Sequence, residues 1–356
     1  MTTLARTIAE VGQADGAAMD TARKQWNGLA KPVGGLGMLE DLVVQLAGIV
    51  GTANVTLDKR TLIVACADNG VVRHSVSASD ASVTRIMAHA IGAGQSTVCQ
   101  MARHANCEVL TVDVGMLEGP HIPNVRTQPI RPGGTGDITR GPAMTHDECV
   151  RAIELGIDLV RERKETGASI VLTGEMGIGN TTTSCAVACA LFGRSPVELV
   201  GPGTGLSAEG IAHKVAIIES ALETNQPDSS DAIDVLMKVG GFDLATICGI
   251  CLGGARYRVP VLLDGIITLA AAACAVRLCP ACRFVLFGSH VSAEPVARLL
   301  LDALELDAPI HAGMHLGEGT GAVAALGLLD VALEAYHRTS TLDQLDIDGY
   351  QPEAQS

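Results

Sequence analysis

Ser169-Ile170-Val171-Leu172-Thr173-Gly174-Glu175-Met176-Gly177-Ile178-Gly179-Asn180-Thr181-Thr182-Thr183 runs from an apolar segment through a glycine-rich turn into the helical pattern of Cys185–Leu191. Strand, glycine turn and helix in that order form the repeating unit of a parallel α/β sheet. The same order recurs outward from this stretch. Further strand candidates are Thr61–Ala65 and Glu108–Val112 upstream, and Val235–Val239, Pro260–Leu263 and Arg283–Phe287 downstream. Each is followed by a glycine-bearing turn and then a helix-like stretch. This alternation predicts a Rossmann-like parallel sheet with helices on both faces, and ligands then gather beyond the carboxyl ends of the strands.

The flanking segments differ. Residues up to about 50 read as helices, and the loop Lys31-Pro32-Val33-Gly34-Gly35-Leu36-Gly37 opens one near Met38. Gly321 to His337 is again helical and returns toward those first helices. The expected organisation is therefore a small helical domain of residues 1–50 with 322–356, and an α/β catalytic domain of residues 51–321. Met116 to Thr145 is rich in proline and glycine and reads as a long ordered excursion, in a length class of loop that is usually functional or disordered.

Composition narrows the partners. The 356 residues are 47% hydrophobic with 40 glycines and only 2% aromatics, so the core must be packed from Ala, Val, Leu and Ile. A formal charge of −14 argues against nucleic acid and anionic membranes, yet leaves room for a phosphorylated small molecule bound by local N–H groups. The first ten residues lack the apolar core of a signal peptide. Val259–Val276 is broken by Pro260, Asp264 and Gly265, so it reads as strand, turn and helix rather than a membrane span. The expected location is the cytoplasm. The 11 cysteines lie in apolar surroundings and read as reduced, packed thiols. Cys248/Cys251 and Cys279/Cys282 have zinc-site spacing, but an apolar helix and a helix-to-strand turn account for them, and no metal is expected.

Chemistry concentrates after the strands. Gly177 and Gly179 permit close approach of backbone to a ligand, and Asn180 and Thr181 open a helix whose free N–H groups favour phosphate. The spacing is neither a P-loop nor a dinucleotide fingerprint; a glycine turn with a capped helix is the bland alternative. A second loop, Gly201-Pro202-Gly203-Thr204-Gly205-Leu206, is followed by Lys214, which is either a phosphate partner or a solvated surface cation. The third signal is His315-Leu316-Gly317-Glu318-Gly319-Thr320-Gly321. Glu318 and Glu175 share a glycine-flanked setting, and two carboxylates facing one pocket push one pKa upward, as a general base needs. His290, after the last strand candidate, reads as structural.

Taken in order, these residues resemble the nicotinate-nucleotide:dimethylbenzimidazole phosphoribosyltransferase family of cobalamin biosynthesis. The resemblance runs through Lys31-Pro32-x-Gly34, Ala67-Asp68-x-Gly70-Val71, Val112-Asp113-Val114-Gly115 and Gly174–Thr182. It continues through Gly240-Gly241, Pro260–Gly265, His290-x-Ser292-x-Glu294 and Leu316–Gly321. It implies a homodimer with a six-stranded parallel sheet, no cofactor, Glu318 as general base and Glu175 as its support. It implies that nicotinate mononucleotide sits on Gly177, Gly179, Asn180, Thr181, Gly203, Lys214 and Ser292. The second substrate, a lower-ligand base, is expected against Ser79, Asp80, Met87, His89 and Met176. No pyrophosphate leaves in this chemistry, so magnesium has no task.

The chain departs from the family pattern at Asn69, where histidine is usual, at Gly35, and at Ser79 and Asp80, where an aromatic and a proline are common. These departures leave open whether the base is a benzimidazole, a purine or a phenol. A companion subunit without activity would have lost Glu318, which is retained. An oxidoreductase would need a fingerprint followed by an acidic residue, and neither is clear.

Overall fold

The computed structural model describes residues 2–203 and 205–348. In chain order the elements begin with helices α1 (Thr3–Glu10), α2 (Gly16–Gly28) and α3 (Met38–Val50), then strand β1 (Arg60–Ala67). Helices α4 (Ser82–Gly92) and α5 (Thr97–His104) lead to strands β2 (Cys107–Gly115) and β3 (Val125–Thr127). Next come α6 (His146–Glu165), β4 (Ile170–Met176), α7 (Asn180–Phe192), α8 (Pro196–Leu199), α9 (Ala208–Asn225), α10 (Ala232–Val239) and α11 (Phe242–Tyr257). The chain continues with β5 (Val261–Leu263), α12 (Ile266–Leu278), β6 (Leu286–Gly288), α13 (Val296–Leu304) and α14 (Thr320–Arg338).

The strands form one parallel sheet in the order β3-β2-β1-β4-β5-β6. β1 shows why these segments are strands: Thr61 to Ala67 is an unbroken buried run, as expected when helices cover both faces of a parallel sheet. Strand order reverses between β1 and β4. The crevice beyond their carboxyl ends is where ligands collect in such sheets.

Two strand expectations are corrected. Val235–Val239 lies in α10, because Ala232, Val235, Leu236 and Val239 share the buried helix face and Asp231 caps the first turn, accepting from Ile233 and Asp234 N–H at 2.9 and 3.2 Å. Arg283–Phe287 is mostly a 3₁₀ turn opened by Pro280, and only Leu286–Gly288 pairs with β5. The sheet recovers its sixth strand from β3, inside the Met116–Thr145 excursion.

That excursion is pinned to the sheet. Thr135 N–H donates to the Asp68 carbonyl at 3.0 Å, and Gly70 N–H donates to Thr135 Oγ1 at 3.1 Å. The excursion therefore fixes the loop at the end of β1. The chain ends meet as well: Ala30 N–H donates to Ser340 O at 2.9 Å, and Trp26 packs on Tyr336 with ring centroids 4.9 Å apart. α14 also packs on β4 and β5, so it reaches from these helices to the sheet. Residues 349–356 of the expected helical domain lie outside the described residues.

α6 and α11 cross at glycines, where the backbones touch without side chains between them. A methyl group on Gly249 would overlap the Ile153 carbonyl, and one on Gly156 the Thr246 carbonyl. Both obstacles are backbone, which cannot swing away. Gly249→Ala should therefore destabilise the fold by about 1–3 kcal/mol, the usual range for overpacking. Thermal unfolding checks this, and an unchanged melting temperature would show that the two helices move apart freely.

All 11 cysteines are buried and free. Among the described residues no helix is long and apolar enough to cross a membrane.

Candidate active site

A cavity of about 360 Å³ opens beyond the carboxyl ends of β4, β5 and β6, and Glu175, Glu318, Asp264 and His290 all line it. Each acid is carried there by a different element. Glu175 is the penultimate residue of β4. Asp264 directly follows β5, and Glu318 directly precedes the N-cap of α14.

Glu318 sits in a strained turn. Gly317, Glu318 and Gly319 have successive φ values of 90°, 61° and 94°. Left-handed backbone is easy for the two glycines and unfavourable for glutamate, a kind of strain that clusters at functional sites. Asp264 holds the turn from behind. Its Oδ2 accepts from Gly319 N–H at 3.0 Å, and its Oδ1 accepts from Gly321 and Ala322 N–H at 2.7 and 3.2 Å. It thus satisfies donors that an α-helix leaves open at its start. Gly174 makes room in front, since a methyl group there would lie 2.6 Å from the Glu318 carbonyl oxygen.

Glu318, Glu175 and Asp264 are all raised. Burial pushes the Glu318 carboxyl above the ordinary glutamate value, while Val98 N–H and the Ser96 hydroxyl, at the start of α5, pull it partly back. Burial and then the charge of Asp243 push Glu175 up to about 8. Burial also raises Asp264, opposed first by His290, whose own pKa burial lowers. Glu318 Oε2 is buried without a hydrogen-bond partner, so one oxygen of this carboxylate is uncommitted.

A recess of about 40 Å³ adjoins the cavity and shares Gly177, Asn180, Thr181 and Gly203 with it. Lys214 of α9 closes it. Only 1% exposed, its Nζ donates to Thr181 Oγ1 at 2.8 Å, and a methyl group on Gly203 would stand 3.7 Å from that nitrogen. The surface-cation reading of Lys214 is thereby corrected: the side chain is turned inward. Among the described residues no carboxylate lies within ion-pair distance of it, and burial lowers its pKa. A buried cation left in that state is the natural seat of an anion. Gly179 is the N-cap of α7, so the positive end of that helix lies at the same place, although Asn180 N–H already donates to the Gly177 carbonyl at 3.1 Å and Thr182 N–H to that of Gly179 at 3.0 Å.

Ser292 lines the main cavity, as do Ser79, Met87 and Met176. Asp80 and His89 do not. Asp80 is exposed and caps the turn before α4, accepting from Ser82 N–H at 2.8 Å. His89 is two positions beyond Met87, about 200° round the helix. It opens instead on a separate groove with Arg85 and His121.

Sequence reasoning overlooked Val83 and Thr97, both in the cavity wall, and Asp243, which is fully buried. Gly240-Gly241 ahead of Asp243 was the available signal. A methyl group on Gly241 would collide with Asp243 Oδ1 and stand 2.7 Å from Asn69 Oδ1, so these glycines make room for buried polar side chains. Asn69 lies there 1% exposed, with its amide against the Asp243 carboxylate, whose charged form it favours.

An anion recess joined to a raised carboxylate at the switch point of a parallel sheet suits transfer of a phosphorylated sugar, and the chain matches the family described as Phosphoribosyltransferase over residues 11–347. A relative from Ruminiclostridium cellulolyticum named nicotinate-nucleotide–dimethylbenzimidazole phosphoribosyltransferase is 43% identical over 334 residues, covering 94% of this chain and 95% of its own. One of the same name from Acetivibrio thermocellus is 39% identical over 350 residues, 98% and 99% of the two chains. The crystal structure of CobT from Thermus thermophilus superposes with a TM-score of 0.88 at 37% identity, covering 93% of this chain and 99% of that one. The chain therefore belongs to the nicotinate-nucleotide–dimethylbenzimidazole phosphoribosyltransferase family.

Proposed function

We propose that this chain moves the 5-phosphoribosyl group of nicotinate mononucleotide onto 5,6-dimethylbenzimidazole or a related base, giving the α-ribazole 5′-phosphate and nicotinate. The observation that supports this most is the union of two features in one space. The recess closed by the buried Lys214 opens into the cavity that holds Glu318.

The phosphate would occupy the recess, held by Lys214 and Thr181 against the backbone of Gly177, Gly179, Asn180 and Gly203. Ser292 would meet the sugar or the pyridine in the main cavity. The donor carries a pyridinium on its anomeric carbon, so the leaving nicotinate departs with the electron pair on its ring nitrogen and needs no general acid. The incoming base attacks the opposite face of the ribose, and configuration inverts from β to α. Glu318 takes the N–H proton of that base as the new carbon–nitrogen bond forms. A carboxylate with a raised pKa performs this step better than an ordinary one near neutral pH. The same reading includes a homodimer at work in the cytoplasm. Turnover of nicotinate mononucleotide with a panel of bases, followed by product analysis, tests the whole reading; no nicotinate release with any base would end it.

The base would face Ser79, Val83, Met87 and Met176, which line the cavity. Methionine repacks around rings of different shape. Each methyl group buried on such a wall contributes only about 0.8 kcal/mol. 5,6-Dimethylbenzimidazole and unsubstituted benzimidazole should therefore both be used, with kcat/KM values within about two orders of magnitude. Competition between equimolar bases measures the ratio. Exclusive use of a purine or a phenol would reject this account of the wall while leaving the donor site intact.

A further inference from the structure

The Asn180 amide is shared between two buried carboxylates. Its Nδ2 group donates to Glu175 Oε2 and, at 3.2 Å, to Asp243 Oδ2. An amide NH₂ has two hydrogens, and both are engaged here. The contact ties the end of β4 to the start of α7 and the first turn of α11. The titratable groups facing Glu175 are Asp243 of α11, Asp264 after β5, Glu318 before α14 and the Cys66 thiol of β1, with His290 behind Asp264. Among the described residues no lysine or arginine is paired with either carboxylate. Two ionised carboxylates held this way, without a cation, repel in a medium that screens poorly, so the pair retains one proton.

The two ends of the clamp are not equivalent. Asp243 accepts from Leu244 N–H at 2.9 Å as well as from Asn180, and it stands at the N-terminus of a 16-residue helix. Both donors and the helix dipole favour its charged form. Glu175 has the Asn180 amide alone. Its other oxygen, Oε1, lies beside Gly317, where a methyl group would be 2.7 Å away, at the cavity wall. The negative charge therefore settles on Asp243 and the proton on Glu175.

We propose that Asp243 is a positioning residue for the transfer: acting through Asn180, it keeps Glu175 a neutral carboxylic acid whose Oε1–H serves the cavity, and leaves Glu318 as the ionised base. This rests on the function proposed above. A neutral Glu175 adds no repulsion toward a donor nucleotide that already carries a phosphate and a carboxylate, and it offers one of their oxygens a hydrogen bond. The directions of titration agree. Burial and the Asp243 charge push Glu175 up to about 8, whereas burial raises Asp243 only to about 6, held back by hydrogen bonds from Asn180 and Leu244.

A group that must stay protonated loses its function as pH rises through its pKa. Activity should accordingly fall on the alkaline side near the Glu175 value, and Glu175→Gln, at whatever rate it runs, should lack that limb. In Asp243→Asn the repelling charge is gone, the Glu175 pKa drops, and the alkaline limb should move to lower pH by about 1 unit. A limb that stays in place would reduce Asp243 to a packing role. A second readout needs neither catalysis nor a folded Asp243 variant. Infrared difference spectra of the wild-type protein against Glu175→Gln, without substrate at neutral pH, should contain the C=O band of a protonated carboxyl. Absence of that band overturns the proposal. Its presence in a protein that cannot turn over nicotinate mononucleotide would reject the reaction and keep the proton on Glu175.

Discussion

Glu318→Gln should lower turnover by about 10² to 10⁴, the span expected for loss of a general base. That span corresponds to about 2.7–5.5 kcal/mol of barrier. The amide keeps the shape of the carboxylate, so the strained turn from Gly317 to Gly319 and its hydrogen bonds to Asp264 have no reason to change. Only the proton-accepting oxygen is lost. Binding of nicotinate mononucleotide should alter much less, because the phosphate recess reaches Lys214 through Thr181 and Gly203, away from this turn. The acid limb of the pH profile gives an independent sign. Glu318 must be ionised to act, and burial raises its pKa, so wild-type activity should fall as pH drops at a point above the ordinary glutamate value. The residual activity of the Gln variant should lack that limb. Wild-type turnover in the variant, measured with the base below saturation, would remove Glu318 from the mechanism.

The stretch from Ser169 to Thr183 carried most of the legible information, because its signals are local. An apolar run too short for a helix, a turn of glycines and a helix start place Glu175, Gly179, Asn180 and Thr181 at the mouth of the sheet with no knowledge of the remaining chain. Glu318 was legible for the same reason, since glycines on both sides of an acid are conspicuous in sequence. Where the signal was not local, reading failed. Val235–Val239 begins and ends on β-branched valine, yet its helix is fixed by the Asp231 cap and by a buried face whose partners are distant in sequence. β3 is three residues long and has no periodicity to detect. His89 lies close to Met87 in sequence but on the far side of α4, so nearness along the chain misled. Asp243 meets Asn180 across 63 residues of chain, and its burial follows from the packing of α11 on the sheet, not from its neighbours in sequence. Lys214 is the instructive middle case. Its type and its distance from the glycine loop hinted at phosphate, but only the fold turns the side chain inward.

That inward turn makes Lys214→Ala the sharpest test of the donor site. The ammonium is 1% exposed and has Thr181 Oγ1 at 2.8 Å as its hydrogen-bond acceptor. Burial disfavours its charge and lowers its pKa, so in the free protein the cation is a source of strain. A bound phosphate reverses this, supplying the opposite charge at the place where the desolvation penalty has already been met. Removing the lysine should therefore weaken nicotinate mononucleotide by about 1.5–3 kcal/mol, the range for a hydrogen bond to a charged group. In affinity that is about 10- to 150-fold. The free base and nicotinate have no phosphate and should bind almost as before, which separates loss of an anion contact from general damage to the site. The stability of the free protein supplies a further sign. Because the substitution removes an unpaired buried charge as well as its packed stem, it should destabilise the fold less than truncating an equally buried apolar side chain, for which about 2–5 kcal/mol is usual. Calorimetric titration of the variant with nicotinate mononucleotide and with its dephosphorylated nucleoside provides the decisive comparison. Equal weakening of the two ligands would place Lys214 outside the phosphate site, whereas loss confined to the nucleotide identifies the recess as the seat of the 5′-phosphate.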